Sequence, residues 1–227
     1  MCGRYSFVTT PQRLGNQLKG IILPPDLSFS CHIAPTHRAW VVTSEVPYTL
    51  QAMQWGLVMP HKTQSVAPMR RHINARAEGL WVKPAFRDAA AHRRCLIPAD
   101  SFYEWKKVPH RKPLPFRILP PDGSLLFMAG IWSELRQGSE VLRTFAIVTV
   151  PAGEDLAALH HRMPALLLTE EEQRLWITPS PVEDLVRVLK PTPPGLLTWY
   201  PVSERLNKPG FDHPSLHEPA TPLPTLF

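Results

Sequence analysis

The sequence predicts an α+β domain built on a curved, barrel-like, mostly antiparallel sheet with short peripheral helices. Three observations predict it. Strand-like apolar runs outnumber helical segments, and the two do not alternate as a doubly wound parallel fold requires. In addition, 27 of the 227 residues are proline, more than twice the ~5% of an average chain. Proline fixes φ and removes a backbone donor, so it cuts a chain into short elements joined by turns.

"TTPQRLGNQLKG" (9–20) reads as the first helix, with Thr10 as its N-cap and Pro11 at the first helical position. "AWVVTS" (39–44) and "YTLQAMQW" (48–55) read as strands. "KPAFRDAAAHR" (83–93) is a second helix, and "RCLIPADSFYEW" (94–105) reads as one long strand. "LLFMAGIW" (125–132), "TFAIVTV" (144–150) and "MPALLL" (163–168) add three more strands. "TEEEQRLWI" (169–177) is a third helix, where Thr169 and Glu172 have capping-box spacing. "VEDLVRVLK" (182–190) is a fourth, ended by Pro191. We find no internal repeat. The organisation is one domain over 2–207 and a proline-rich tail over 208–227, expected to hug the surface or stay disordered.

Composition excludes several classes. No run approaches the ~20 apolar residues of a membrane span, and "MCGRYSFVTTPQR" lacks a signal peptide's apolar stretch, so a cytoplasmic monomer is expected. Cys2, Cys31 and Cys95 are too few and wrongly spaced for a disulfide framework. There is no CxxC or HExxH, so no metal and no cofactor are expected. The net charge of +6 is unevenly spread: residues 61–117 hold 13 Lys and Arg against four Asp and Glu. Such a block fits a polyanion-facing surface as well as it fits a merely solvated basic face.

Polar residues that interrupt apolar runs carry a desolvation cost and are therefore usually partnered or functional. Cys2 would become N-terminal on removal of Met1, offering a thiol and an α-amine on adjacent carbons. Glu104, between Tyr103 and Trp105, is either an ordinary surface glutamate or a carboxyl whose apolar setting raises its pKa toward proton-shuttling range. Asn74 could steady a thiolate or an oxyanion, or simply form a turn. His160 ends a helical segment beside His161, where histidine is favoured without any chemistry. Arg76 and Arg162 are phosphate ligands or surface charges.

Together, "MCGRY", "CHIAPT", "QWGL", "INARAE", "SFYEWKK", "MAGIW", "HHRMP" and "YPVS" occur in an order and spacing that resembles the SOS response-associated peptidase (SRAP) family over residues 2–207. That resemblance implies a protein that crosslinks to abasic sites in single-stranded DNA. It implies Cys2 as nucleophile, Asn74 holding the reacting centre, Glu104 as general acid/base and His160 assisting. Arg4, Pro35, Arg76, Trp105 and Arg162 fall on positions facing the DNA. Two departures stand out: His32 replaces the family's usual asparagine, and "VMPHKTQ" (58–64) replaces its tryptophan-rich segment.

The implied chemistry explains why an N-terminal cysteine is needed. An abasic deoxyribose in its open form is an aldehyde, and an α-amine of pKa ~8 has an appreciable neutral fraction to attack it. The imine formed favours strand-breaking β-elimination, unless the neighbouring thiol closes on it to give a thiazolidine. Leakage before closure would appear as residual abasic-site lyase activity, and the family name implies self-removal of the leading methionine. Two alternatives remain open at this stage. One is an N-terminal-nucleophile amidohydrolase of the class II glutamine amidotransferase kind, which also begins Met-Cys-Gly but for which no downstream "RGPD" or "NGE" is present. The other is a non-catalytic single-stranded DNA binder.

Overall fold

The computed structural model describes residues 2–59 and 71–220. The strands, in chain order, are β1 (Arg4–Phe7), β2 (Ser30–Ile33), β3 (Arg38–Thr43), β4 (Leu50–Trp55), β5 (Leu57–Val58), β6 (Arg71–His72) and β7 (Asn74–Arg76). They continue with β8 (Arg94–Ala99), β9 (Ser101–Lys106), β10 (Leu114–Leu119), β11 (Leu126–Gln137), β12 (Glu140–Pro151), β13 (Arg162–Pro164) and β14 (Thr198–Pro201). Five helices decorate them: α1 (Pro11–Gln17), α2 (Arg87–His92), α3 (Glu154–Ala157), α4 (Glu170–Ile177) and α5 (Val182–Val188).

The fold is the α+β barrel the sequence predicts. β11 pairs with β8, β8 with β3, β3 with β4, β4 with β12, and β12 again with β11, so five strands close on themselves. Closure leaves those strands without open edges. Every pairing in the ring is antiparallel except β4–β12. A second antiparallel sheet, in the order β14-β10-β9-β1-β2, lies beside it, and β5 and β6 form a two-stranded sheet.

The run 94–105 is not one strand. It breaks at Asp100, which ends β8 in the barrel and starts β9 in the second sheet. The cause is a buried charge. Asp100 Oδ2 accepts from Arg117 Nη2 at 2.6 Å and from Ser6 Oγ at 3.0 Å, while Oδ1 accepts from Val8 N at 2.6 Å. Burying that carboxylate is tolerable only with these donors, and meeting them turns the chain from one sheet into the other.

The core joins the two sheets. Trp55 stacks on Phe145 and takes the ring of Tyr5 edge-on at 5.3 Å, and all three are 0% exposed. Its indole N–H donates to Ile73 O at 2.8 Å, fixing the chain just before β7. A Cβ at Gly130 would stand 2.6 Å from Ile97 Cδ1 and 2.7 Å from Cys95 Sγ, so any side chain there forces those two to shift. Buried Arg94 donates to carbonyls at the C-terminal ends of α2 and α4, namely Ala90, Ala91, Trp176 and Thr178. A guanidinium there satisfies carbonyls that short helices leave unpaired.

Thr10 caps α1 as expected, its hydroxyl accepting from Arg13 N at 3.2 Å. In α4 the hydroxyl of Thr169 accepts from Glu172 N at 3.1 Å, but the Glu172 carboxylate reaches Leu168 N, one residue before the cap. Beyond Asn207, residues 208–220 pack on the second sheet. Leu216 is fully buried with Tyr103, Val202 and Leu206, and Ala220 N donates to Pro201 O at 2.8 Å. Among the described residues no helix is long and apolar enough to cross a membrane, and no cluster of His, Cys, Asp or Glu could hold a metal ion.

Candidate active site

Four elements converge at the C-terminal end of β12. There β7 lies parallel to β12, pairing Asn74 with Ile147, while β13 pairs Arg162 with Pro151. β1 and β9 pair Arg4 with Tyr103, a register that carries Cys2 and Gly3 alongside Glu104 and Trp105.

Cys2 is 0% exposed, and its Sγ approaches Arg4 O at 3.6 Å. Burial pushes its thiol pKa up, and the negative charge of Glu104 pushes it further the same way. Asn74 Nδ2 donates to Cys2 O at 2.9 Å, and Asn74 Oδ1 is buried with no hydrogen-bond partner among the described residues. The asparagine is thus no turn former: it sits in a strand and anchors the first peptide.

Glu104 is 3% exposed, which removes the surface reading, and burial raises its pKa above the usual carboxylate range. Its Oε2 stands 4.0 Å from His160 Nε2. His160 follows α3, with its backbone N–H bonded to Leu156 O. His160 Nδ1 lies 3.0 Å from Arg162 N and 3.1 Å from Arg162 O, which fixes the ring with Nε2 facing Glu104. Burial lowers the His160 pKa, favouring the neutral ring, which stacks against His161 at 4.4 Å. Cys2, Asn74, Glu104 and His160 are therefore brought together from four separate segments.

The expected DNA-facing residues divide. Arg76 is exposed, Arg4 and Pro35 are half-buried, and Trp105 is half-buried with its indole N–H on Asn207 Oδ1 at 2.9 Å. Arg162 is not a surface charge. It is 8% exposed, and its guanidinium donates to the Glu78 carboxylate and to Thr149 O. Part of the basic block, and "VMPHKTQ" from Pro60 onward, lie outside the described residues.

Trp105 forms a ridge between two depressions. One, of about 330 Å³, is lined by Lys106, Lys107, Leu159, His160 and His161; the other, of about 530 Å³, by Lys112, Pro113, Arg205, Asn207 and Lys208. A roomier, mostly apolar cavity of about 620 Å³, between Leu18, Val42, Tyr48 and Ile177, lies away from all four converging residues. Chemistry and charge locate the site, not volume. Sequence reasoning missed Lys112, Arg205 and Lys208 because they belong to different segments. It also missed Glu78, the partner of Arg162, whose place in "INARAE" was the available signal.

The family model described as SOS response associated peptidase (SRAP) matches residues 1–209. The chain is 31% identical over 226 residues to "Abasic site processing protein YoqW" of Bacillus subtilis, covering 96% of this chain and 99% of that one. It is 30% identical over 190 residues to "Abasic site processing protein HMCES" of Gallus gallus, covering 73% of this chain and 56% of that one. A crystal structure of a Bacteroides thetaiotaomicron protein shares the fold, with a TM-score of 0.84 at 24% identity over 97% of this chain and 100% of that one. A family match over residues 1–209, together with relatives at 31% identity along nearly the whole length, shows that this chain belongs to the SOS response-associated peptidase family.

Proposed function

We propose that this protein captures abasic sites in single-stranded DNA as a covalent thiazolidine on Cys2, once Met1 has been removed. The observation that carries the reading is the Asn74 bond to Cys2 O at 2.9 Å, beside a buried carboxyl that is electrostatically coupled to the Cys2 thiol. The relatives named as abasic site processing proteins support it.

The steps balance. The neutral α-amine adds to the sugar aldehyde, and the carbinolamine loses one water to give an imine. The Cys2 thiol gives up its proton, sulfur bonds to the imine carbon, and nitrogen regains a proton. Overall one water leaves and nothing is oxidised or reduced. A thiol raised by burial cannot ionise unaided, so a nearby base must take its proton. Glu104 is suited to that, since burial raises its pKa and makes it a stronger base than an ordinary carboxylate. His160 offers Nε2–H to the departing hydroxyl and is recharged through Glu104. Asn74 holds the Cys2 carbonyl so that amine and thiol share one face, and its buried Oδ1 is placed to accept from the carbinolamine. Arg4, Pro35, Arg76 and Trp105 belong to the DNA-facing wall, with Trp105 offering an apolar face for a base, while buried Arg162 ties β13 to Glu78 and Thr149. Imine that eliminates before sulfur closes gives a minor lyase activity.

Intact mass spectrometry with an oligonucleotide bearing one abasic site tests this. The expected species is Met1-free protein plus oligonucleotide minus one water. Adduct formed equally by protein with a blocked amino terminus overturns it.

A further inference from the structure

Arg4 is held by two side-chain hydrogen bonds. Its Nη1 donates to Gly3 O at 2.7 Å, the carbonyl next after that of Cys2, and its Nε donates to His32 Nε2 at 2.9 Å. His32 can accept there only with its proton on Nδ1, which donates in turn to Phe211 O at 2.8 Å. The ring is 2% exposed, and its backbone N–H is tied to Ser30 Oγ at 3.0 Å. One residue earlier, Cys31 N donates to Asp212 Oδ1 at 2.8 Å. Phe211 and Asp212 both lie beyond residues 1–209, the span the family model matches. A segment outside that span is therefore stitched to β2, the strand that pairs with β1.

We propose that His32 is a positioning residue: braced by the Phe211 carbonyl, it fixes Arg4 and thereby the Gly3 peptide that follows Cys2, making residues 208–217 a buttress of the reacting end. The relay stands on hydrogen bonds alone; its effect on rate rests on the crosslinking reaction proposed above. A guanidinium donating to a neutral buried acceptor makes a strong, directional bond. A protonated ring would lose that acceptor and set two cations at the same distance. Burial disfavours the charged ring most; Arg4 and His37 also oppose it, while the Phe211 carbonyl and Asp212 favour it, and the balance lowers the His32 pKa. The relay is intact at neutral pH and opens in acid.

The test uses full-length, Met1-free protein with ¹⁵N-labelled arginine and an oligonucleotide bearing one abasic site. In His32→Ala the Arg4 Nε–H signal loses its protection from solvent exchange. The single-turnover adduct rate falls about ten- to a hundredfold, as misplacement of reacting groups by a distant change does. His32→Gln places an amide oxygen near the lost Nε2, restores the Nε–H signal and most of the rate, and abolishes the part of the acid limb due to His32. Equal Nε–H protection in wild type and His32→Ala overturns the proposal. So does an unchanged acid limb in His32→Gln, which decides the matter should His32→Ala not fold. Wild-type protein that forms no adduct refutes the crosslinking reading, while the Nε–H signal still decides the relay.

Discussion

His160 Nε2 and Glu104 Oε2 stand 4.0 Å apart, too far for a hydrogen bond and close enough for each to sense the other's charge. Burial moves the two in opposite directions, raising the carboxyl and lowering the imidazole, so their titrations are drawn toward each other. Two groups whose proton affinities approach each other can trade a proton at little cost.

Glu104→Gln separates activity from stability. A shuttling carboxyl contributes roughly 10²–10⁴ in rate, so the single-turnover adduct rate should fall within that range and lose the acid limb that reports ionisation of Glu104. Stability moves the other way. A carboxyl raised above its ordinary 4.5 in the native state ionises more easily in the unfolded chain. Native stability therefore falls as pH rises past 4.5 and levels off above the folded value. The glutamine variant lacks that loss and should melt higher than wild type at pH 7.5, by about 2–4 °C per kcal/mol recovered. Calorimetry showing a lower melting temperature at that pH would contradict a desolvated carboxyl.

Cys2→Ser distinguishes three chemistries with one protein. Oxygen in place of sulfur removes the nucleophile that closes the thiazolidine and leaves the basic surface untouched. Denaturing gels should show stable crosslinks abolished, while salt-sensitive binding to single-stranded DNA stays within about twofold of wild type. Loss of a glutaminase activity would instead indicate the amidohydrolase, and crosslinking at the wild-type level would exclude Cys2 as the bond-forming residue.

Asn74→Ala removes the donor to Cys2 O. A net hydrogen bond is worth about 1 kcal/mol, so folding should survive with a melting temperature only a few degrees lower. Adduct formation should slow about ten- to a hundredfold, because the amine and the thiol are no longer held on one face. The lost reaction is sulfur closure, so the fraction of strand cleavage per abasic site should rise. Gel quantification of cleaved against crosslinked oligonucleotide reads that ratio directly.

Arg117→Ala tests what splits the run 94–105 into two strands. Removing the guanidinium leaves Asp100 buried at 8% exposure with hydroxyl and backbone donors, its remaining ion-pair neighbour being His217 Nε2 at 3.9 Å, too far for a hydrogen bond. Breaking a buried pair from one side costs about 3–5 kcal/mol. Urea denaturation should show a midpoint lowered accordingly, with an unchanged slope. A loss under ~1 kcal/mol would show that the pair does not hold the two sheets together.

That ion pair also marks the limit of what the sequence reveals. Local signals were legible: Thr10 and Pro11 start α1, Thr169 caps α4, and most apolar runs became barrel strands, although the run 163–168 is strand only up to Pro164, in β13 on the edge of β12. The break at Asp100 was not, because its partners Ser6 and Arg117 are distant in sequence. β1, β2, β10 and β14 were missed since each is short and interrupted by polar or proline residues. Cys2, Asn74, Glu104 and His160 could be named from motifs, yet their convergence depends on β12 pairing with β7 along one edge and β13 along the other. The link from His32 to Phe211 spans 179 residues and left no trace in local pattern.

The depressions on either side of Trp105 yield a quantitative prediction. Lys107 and Lys112, from the loop between β9 and β10, and Lys208 are exposed and line them. If a single strand crosses the Trp105 ridge, each lysine that neutralises a phosphate releases condensed counterion, and log K falls with log salt by about 0.7 per contact. Replacing all three with alanine should lower the magnitude of that slope by about 2 for an undamaged oligonucleotide, and weaken binding at 50 mM salt more than at 200 mM. At saturating oligonucleotide the adduct rate should stay near wild type, because none of the three belongs to the converging residues. Fluorescence anisotropy across a salt series reads the slope. An unchanged slope would mean the strand leaves the site by another path, with Trp105 facing solvent and not a base.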